Sequence, residues 1–296
     1  MDNKVKISKF KCWFLAARPK TLPAAFVPVI VGSALAFREN SFKFSVALVA
    51  LICSLLLQIG ANFSNDLFDF LKGSDKKERV GPMRVLATDL ISKKEMAFGL
   101  IVVYSVCFLL GLYLVYLGSW IILIVGIFSI LMSVAYTAGP FPLAYNGLGD
   151  VFVFLFFGIV GTVGTYYVQS LKLNYIVFLS AIPVGALITN ILVVNNYRDI
   201  EEDRAAYKKT LAVRFGQLFS KIQYVFSIVF SYLSILIIYL IVENEYILLP
   251  IVSLPIAIIL IKMIFTYTGK QLNKTLALSA LFSALFGILL AIGFVL

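Results

Sequence analysis

The apolar positions of this chain fall into nine nearly unbroken runs, at 22–37, 45–64, 96–116, 120–137, 147–168, 175–194, 222–241, 247–265 and 276–295. About 20 residues in α-helix cross the hydrocarbon core of a bilayer. Strands of a membrane barrel alternate apolar and polar positions, and these runs do not. The pattern predicts an all-α, polytopic membrane protein with about nine transmembrane helices bundled around a central cavity. The first run is short and carries Pro23 and Pro28, which predicts a kink or tilt there. No low-complexity tract or flexible linker interrupts the pattern, so residues 1–296 read as a single domain.

Composition narrows the class. Hydrophobic residues make up 61% of the chain and charged residues 14%, against roughly 45–50% and 25% in soluble domains. Histidine is absent, which removes Ser-His-Asp catalysis, His-ligated haem and His-based zinc sites. Cys12, Cys53 and Cys107 share no metal-ligand spacing and read as small buried hydrophobes. The net charge of +10 is arranged by side. The N-terminus and the segments 65–95, 195–221 and 262–275 hold 22 of the 25 Lys and Arg, leaving only Arg38, Lys43 and Lys172 for the intervening loops. The positive-inside rule then places the N-terminus in the cytoplasm. The basic balance reflects a lipid bilayer partner and no nucleic acid.

Two polar clusters sit where runs end on that same basic side. In the first, Asn62, Asn65, Asp66 and Asp69 are spaced i, i+3, i+4, i+7, one face of a helix. Gly73 is placed to end that helix, and Asp75 to fold back from the loop. In the second, Asn195, Asp199 and Asp203 are spaced i, i+4, i+8, again one helical face, followed by Lys208 and Lys209. Clustered carboxylates beside an apolar bundle are costly unless a cation neutralises them. Only oxygen donors are offered, a set that suits Mg²⁺ or Mn²⁺ rather than zinc or copper. Mg²⁺ is usually held by one or two carboxylates plus a substrate phosphate. Two such half-sites, ringed by Arg79, Arg84, Arg198, Lys208 and Lys209, would make a diphosphate–metal clamp. Asp75, Glu201 and Glu202 fit a solvated loop as well as the clamp.

At these residues the chain resembles the UbiA superfamily of membrane-embedded aromatic prenyltransferases. The superfamily's two acidic motifs stand here as Asn65-Asp66-x-x-Asp69 and Asp199-x-x-x-Asp203. Four further strings are similar to its 1,4-dihydroxy-2-naphthoate branch: Ala17 to Pro23, Gly81-Pro82-x-Arg84-Val85-Leu86, Tyr136-Thr137-x-Gly139-Pro140-x-Pro142-Leu143, and residues 195–216. Thr88-Asp89 departs from an expected small residue and glycine, and Asp150 from an expected glutamate. The resemblance implies a catalytic set of Asp66, Asp69, Asp199 and Asp203 holding Mg²⁺, with Asn65 completing the metal shell. It implies a diphosphate site of Arg84, Arg198, Lys209, Asn62, Asn65 and Tyr136. Arg18 would meet the acceptor carboxylate, or serve with Lys20 as a membrane-surface anchor. Phe63, Phe68, Tyr136, Phe156, Phe157, Tyr166 and Tyr167 are candidates for the wall of the reaction chamber.

The implied reaction moves a polyprenyl group from polyprenyl diphosphate to 1,4-dihydroxy-2-naphthoate. Diphosphate and CO₂ leave, and demethylmenaquinone forms, a step of menaquinone biosynthesis. The implied location is the cytoplasmic membrane of a bacterium, with the active site facing the cytoplasm. Other acceptors used in the superfamily include 4-hydroxybenzoate and homogentisate. A cation-coupled transporter is the rival from another class, but transporters set their coupling sites near the bilayer midplane, and both clusters here lie at span ends.

Overall fold

The computed structural model describes residues 8–74, 80, 81 and 83–296, with Lys20 described through its backbone alone. The Asp75 and Arg79 expectations, and the side chain of Lys20, lie outside the described residues. Among the described residues twelve α-helices follow in order: α1 (Lys9–Ala16), α2 (Pro23–Arg38), α3 (Phe44–Leu71), α4 (Lys93–Gly118), α5 (Trp120–Ala135), α6 (Gly149–Val153), α7 (Gly164–Ser170), α8 (Tyr175–Arg198), α9 (Ile200–Ala205), α10 (Leu211–Val242), α11 (Leu254–Thr266) and α12 (Leu272–Val295). A π-helical segment, Phe154–Val163, joins α6 to α7 in one path, and a 3₁₀ segment, Glu245–Ser253, leads into α11. No β-strand occurs among the described residues.

Among the described residues seven helical paths are long and apolar enough to cross a membrane: α3, α4, Gly149–Ser170, α8, α10, Glu245–Thr266 and Gly269–Val295. The shorter apolar helices α2 and α5 occupy the ranges of the first and fourth expected spans. Pro23 opens α2, where its missing N–H costs nothing, and Pro28 lies within it. Ser92 and Glu95 form a reciprocal capping box at the start of α4. Gly73, with φ +70°, ends α3 as expected, its N–H donating to the Phe70 carbonyl and that of Ser74 to the Asp69 carbonyl, 3.0 and 2.9 Å.

Small residues decide which helices sit at the centre. In α8 and α12, 72% and 61% of the most apolar window is buried, against 22–33% in the other five crossing paths. The buried faces include Ser180, Ala181, Gly185 and Ala186 on α8, and Ala280, Ser283, Ala284 and Gly287 on α12. Such residues let backbones approach closely where lipid removes the hydrophobic drive between helices. A close approach sets the π segment on α8: a β-carbon on Gly158 would lie 2.9 Å from Gly185 Cα and from the Ala181 carbonyl. Hydroxyls within the spans return to carbonyls one turn back, as Ser180 does to Ile176, Thr189 to Gly185 and Ser234 to Phe230. The outer faces expose Phe98, Ile101 and Leu109 on α4 and Phe226, Leu233 and Leu240 on α10, as lipid contact requires.

The helix α5 is loosely held. Of its residues only Ser129 is buried, and across from it Phe128 stacks on Phe156 of the π segment, centroids 5.9 Å apart. Between these elements a cavity of about 650 Å³ runs from the ends of α3 and α8 down to Val115, Ile122 and Val168.

Candidate functional site

The upper end of the cavity is polar. Asn62, Asn65 and Asp69 of α3, Arg84 of the following loop, Tyr136 after α5, Asp150 of α6, Asn195 of α8, Asp199, Asp203 of α9 and Lys208 all line it, as does Arg18. Asp66 is not among the lining residues, but the other members of the two acidic clusters share one mouth. Asp66, Asp69 and Asp199 are only 2–3% exposed, whereas Asn65, Asn195 and Asp203 are half-buried.

The first cluster lies on one face of α3, as its spacing predicts. Asp66 accepts from Arg18 in a short ion pair and from Arg84 Nη1 at 2.5 Å. Asp69 accepts from Tyr145 at 2.8 Å, Lys208 Nζ at 3.2 Å and Arg84 Nη2 at 3.4 Å. Asn65 accepts from the Thr137 hydroxyl at 3.1 Å. Asn62 donates to the Ala17 carbonyl and the Thr21 hydroxyl, tying the segment that carries Arg18 to α3. Arg18 itself holds a left-handed backbone, φ +50° and ψ +68°, an arrangement an arginine adopts only where its surroundings enforce it.

The second cluster is not on one continuous helix. α8 stops at Arg198, Asp199 is non-helical at φ −96°, ψ 14°, and α9 begins at Ile200. The i→i+4 bonds survive the bend: Asp199 N–H donates to Asn195 O at 3.0 Å, and Asp203 N–H to Asp199 O at 2.8 Å. Asn195, Asp199 and Asp203 thus still reach one cavity.

Two expected diphosphate contacts are placed elsewhere. Arg198 does not line the cavity; it is buried and grips Asp199 in bidentate fashion at 2.6 and 2.7 Å, with further bonds to Asn195 and Asn273 at 2.7 and 2.8 Å. Its donors are spent on fixing the bend. Lys209 is exposed, and its backbone N–H donates to the Tyr145 carbonyl at 2.8 Å. Its neighbour Lys208 points inward to Asp69 and stands 4.0 Å from Asp203, so it spans the two clusters. A tight turn after α9, with Tyr207 at φ +57°, sends adjacent lysines in opposite directions.

Tyr145 was not legible in the sequence. It bonds Asp69 and Ser74 through its hydroxyl, and Lys72 and Lys208 lie over its ring at 4.3 and 4.9 Å. It stands two residues beyond the Tyr136–Leu143 string, on the basic side, and that position is the only signal it gave. Burial lowers the Lys72 ammonium from its ordinary value, with Asp69 opposing and Lys208 adding to the shift.

Of the aromatic candidates, Tyr136, Phe156 and Phe157 line the cavity. The others do not. Phe63 packs on Trp13, centroids 5.2 Å apart, and Phe68 belongs to the same satellite core under α1. Tyr166 bonds Glu39, and Tyr167 does not face the cavity. Phe108 and Phe152 line it instead. Helical spacing fixes a face, and only packing shows what that face meets. Cys53 and Cys107 also line the wall, each thiol donating to the other's carbonyl across α3 and α4 at 3.7 and 3.6 Å.

The departure at Thr88-Asp89 has a backbone counterpart. Asp89 has φ +59°, in the region that favours glycine. Aspartate is among the few other residues that tolerate it.

The site thus joins hard oxygen donors, half-buried cations and an apolar channel. Among the described residues no three His, Cys, Asp or Glu side chains converge tightly enough to hold a metal ion unaided.

The UbiA prenyltransferase family matches residues 25–286 of the chain. The chain belongs to this family. UbiA-family relatives include two proteins named 1,4-dihydroxy-2-naphthoate octaprenyltransferase. That of Haemophilus influenzae is 41% identical over 223 residues, covering 73% of this chain and 72% of the relative. That of Escherichia coli is 42% identical over 219 residues, covering 72% and 71%. A UbiA homolog from Archaeoglobus fulgidus, solved with DMAPP and Mg²⁺ bound, superposes with a TM-score of 0.66 over 95% of this chain and 99% of that one. At 15% identity that likeness shows the shared fold.

Proposed function

We propose that this protein transfers a polyprenyl group from polyprenyl diphosphate to 1,4-dihydroxy-2-naphthoate, releasing diphosphate and CO₂. The observation that carries the acceptor is the agreement among relatives at 34–42% identity, all bearing the 1,4-dihydroxy-2-naphthoate octaprenyltransferase name. The geometry supports the donor: half-buried cations and paired acidic clusters stand at the head of a long apolar cavity. Its volume, about 650 Å³, lies within the usual range for small-molecule sites.

The donor set fits a hard divalent cation. Asp66, Asp69, Asp199, Asp203 and Asn65 offer oxygen alone, in two half-sites that a diphosphate completes. Mg²⁺ is the ion of choice, with Mn²⁺ of the same chemistry. When bound, it supplies positive charge to the diphosphate oxygens and so improves the leaving group. The fold residues do the rest. Arg84, Lys208 and Arg18 bring fixed positive charge to the cavity mouth, where the leaving diphosphate gathers negative charge. Arg198 acts through Asp199, holding its carboxylate toward the mouth. Asn62 keeps the Arg18 segment in place, and Tyr136 closes the wall between the clusters.

The allylic cation left behind must be shielded from water. Phe152, Phe156 and Phe157 shield it and offer π-faces that favour a cation. The ring carbon bearing the acceptor carboxylate attacks, and the carboxylate departs as CO₂. Electron counting leaves the product ring as the quinol of demethylmenaquinone. The whole chain works as one domain, since the cavity wall draws on helices from α2 to α12. Its place is the bacterial cytoplasmic membrane, with nine crossings, a cytoplasmic N-terminus and the mouth on the Lys- and Arg-rich cytoplasmic side. The test is purified protein with Mg²⁺, polyprenyl diphosphates and a panel containing 1,4-dihydroxy-2-naphthoate, 4-hydroxybenzoate and homogentisate. Product mass shows prenyl gain with CO₂ loss for the naphthoate; gain without CO₂ loss, or on another acid alone, would overturn the acceptor assignment.

A further inference from the structure

One carboxylate in the cavity wall has no basic partner among the described residues. Asp150, at the start of α6, is 6% exposed and faces the cavity. Its partners are two amides at long range, Asn196 Nδ2 at 3.5 Å from α8 and Gln223 Nε2 at 3.4 Å from α10. Every other aspartate at the mouth faces a basic side chain, and among the described residues no Lys or Arg pairs with Asp150. The charged groups on the elements around it are engaged elsewhere. Arg198 holds Asp199, Lys208 holds Asp69, and Arg214 donates to the Asn146 carbonyl. The Tyr136 hydroxyl lies against Gly149, next to Asp150 in the chain, 2.9 Å from where a β-carbon would be.

A buried carboxylate held only by two long amide bonds is weakly compensated and has capacity to accept a further donor. We propose that Asp150 is the acceptor-side base, binding a ring hydroxyl of the dihydroxynaphthoate and holding its proton during prenyl transfer. This rests on the transferase reading given above. The ring O–H bond breaks toward Asp150, and its electron pair enriches the ring. The carboxylate-bearing ring carbon forms the new C–C bond to the allylic carbon. The C–O bond to diphosphate breaks with its pair leaving on diphosphate. The bond to the carboxylate then breaks, CO₂ departs, and the returning pair restores the aromatic ring. Asp150 gives its proton back to the ring oxygen, so no net proton or electron is consumed.

The experiment compares full-length wild type, Asp150→Asn and Asp150→Glu with Mg²⁺, a polyprenyl diphosphate and 1,4-dihydroxy-2-naphthoate. Asp150→Asn should lower kcat by about 10²–10⁴-fold. Its KM for polyprenyl diphosphate should stay within about twofold, and the acid limb of its kcat/KM profile should vanish. Asp150→Glu should recover much of the rate and the acid limb. An inactive wild type would refute the transferase reading instead. An active wild type with Asp150→Asn within about threefold of it in kcat would overturn the role of Asp150. So would a folded Asp150→Glu as inactive as Asp150→Asn.

Discussion

Replacing Arg84 with methionine tests the electrostatics of the α3 cluster. Arg84 stands between carboxylates on successive turns, 2.5 Å from Asp66 and 3.4 Å from Asp69, with its side chain 11% exposed. Side chains at i and i+3 lie roughly 5–6 Å apart. Two like charges about 6 Å apart, at an effective dielectric of about 20, repel by about 3 kcal/mol. The guanidinium offsets that repulsion, and a methionine of similar length cannot. Asp66 keeps Arg18, and Asp69 keeps Lys208 and Tyr145, so the loss should stay near about 3 kcal/mol, the low end of the cost of breaking a buried pair. Thermal unfolding of purified protein in detergent, followed by fluorescence of Trp13 and Trp120, reads it out. At low Mg²⁺ the variant should melt earlier, and excess Mg²⁺ should recover more for the variant than for wild type, because a bound cation takes over the missing charge. Adding Asp66→Asn should restore most of the loss. Equal melting of Arg84→Met and wild type without Mg²⁺, or a double variant no better than the single, would refute the reasoning.

Three further outcomes follow from single contacts. Tyr145→Phe keeps the ring beneath Lys72 and Lys208 but removes the bond to Asp69; kcat/KM should fall about tenfold, as steady-state kinetics would show. Arg198→Gln releases the buried Asp199 carboxylate, so stability should drop by about 3–5 kcal/mol in a denaturation series and turnover should be lost. At Asp89, with φ +59°, valine should cost about 1–2 kcal/mol, which thermal unfolding would read out as a lower melting temperature.

The helices and the first cluster were readable because each depends on local pattern. An apolar run long enough to cross lipid can satisfy its backbone only as a helix, and Asn62, Asn65, Asp66 and Asp69 meet because one helix carries them. The second cluster was readable only in part. The i, i+4, i+8 spacing placed Asp199 and Asp203 together, yet the bend at Asp199 depends on Arg198 closing onto it and on Asn273, 75 residues away. Which of two adjacent lysines turns inward depends on the backbone at Tyr207, and spacing carries no trace of it. Phe63 and Phe156 look alike in sequence; the first meets Trp13 and the second faces the cavity, because tertiary contacts alone decide what each face covers.

The central claim is that both acidic clusters act on one diphosphate with a divalent cation. Turnover of polyprenyl diphosphate and 1,4-dihydroxy-2-naphthoate by lipid-embedded protein, with Mg²⁺ titrated against a chelator, measures this in wild type, Asp69→Ala and Asp203→Ala. The account predicts activity that disappears on chelation, returns with Mg²⁺, and falls by about 10²–10³-fold or more in each variant. Product formation that persists in chelator, or that survives the loss of either aspartate, would contradict it.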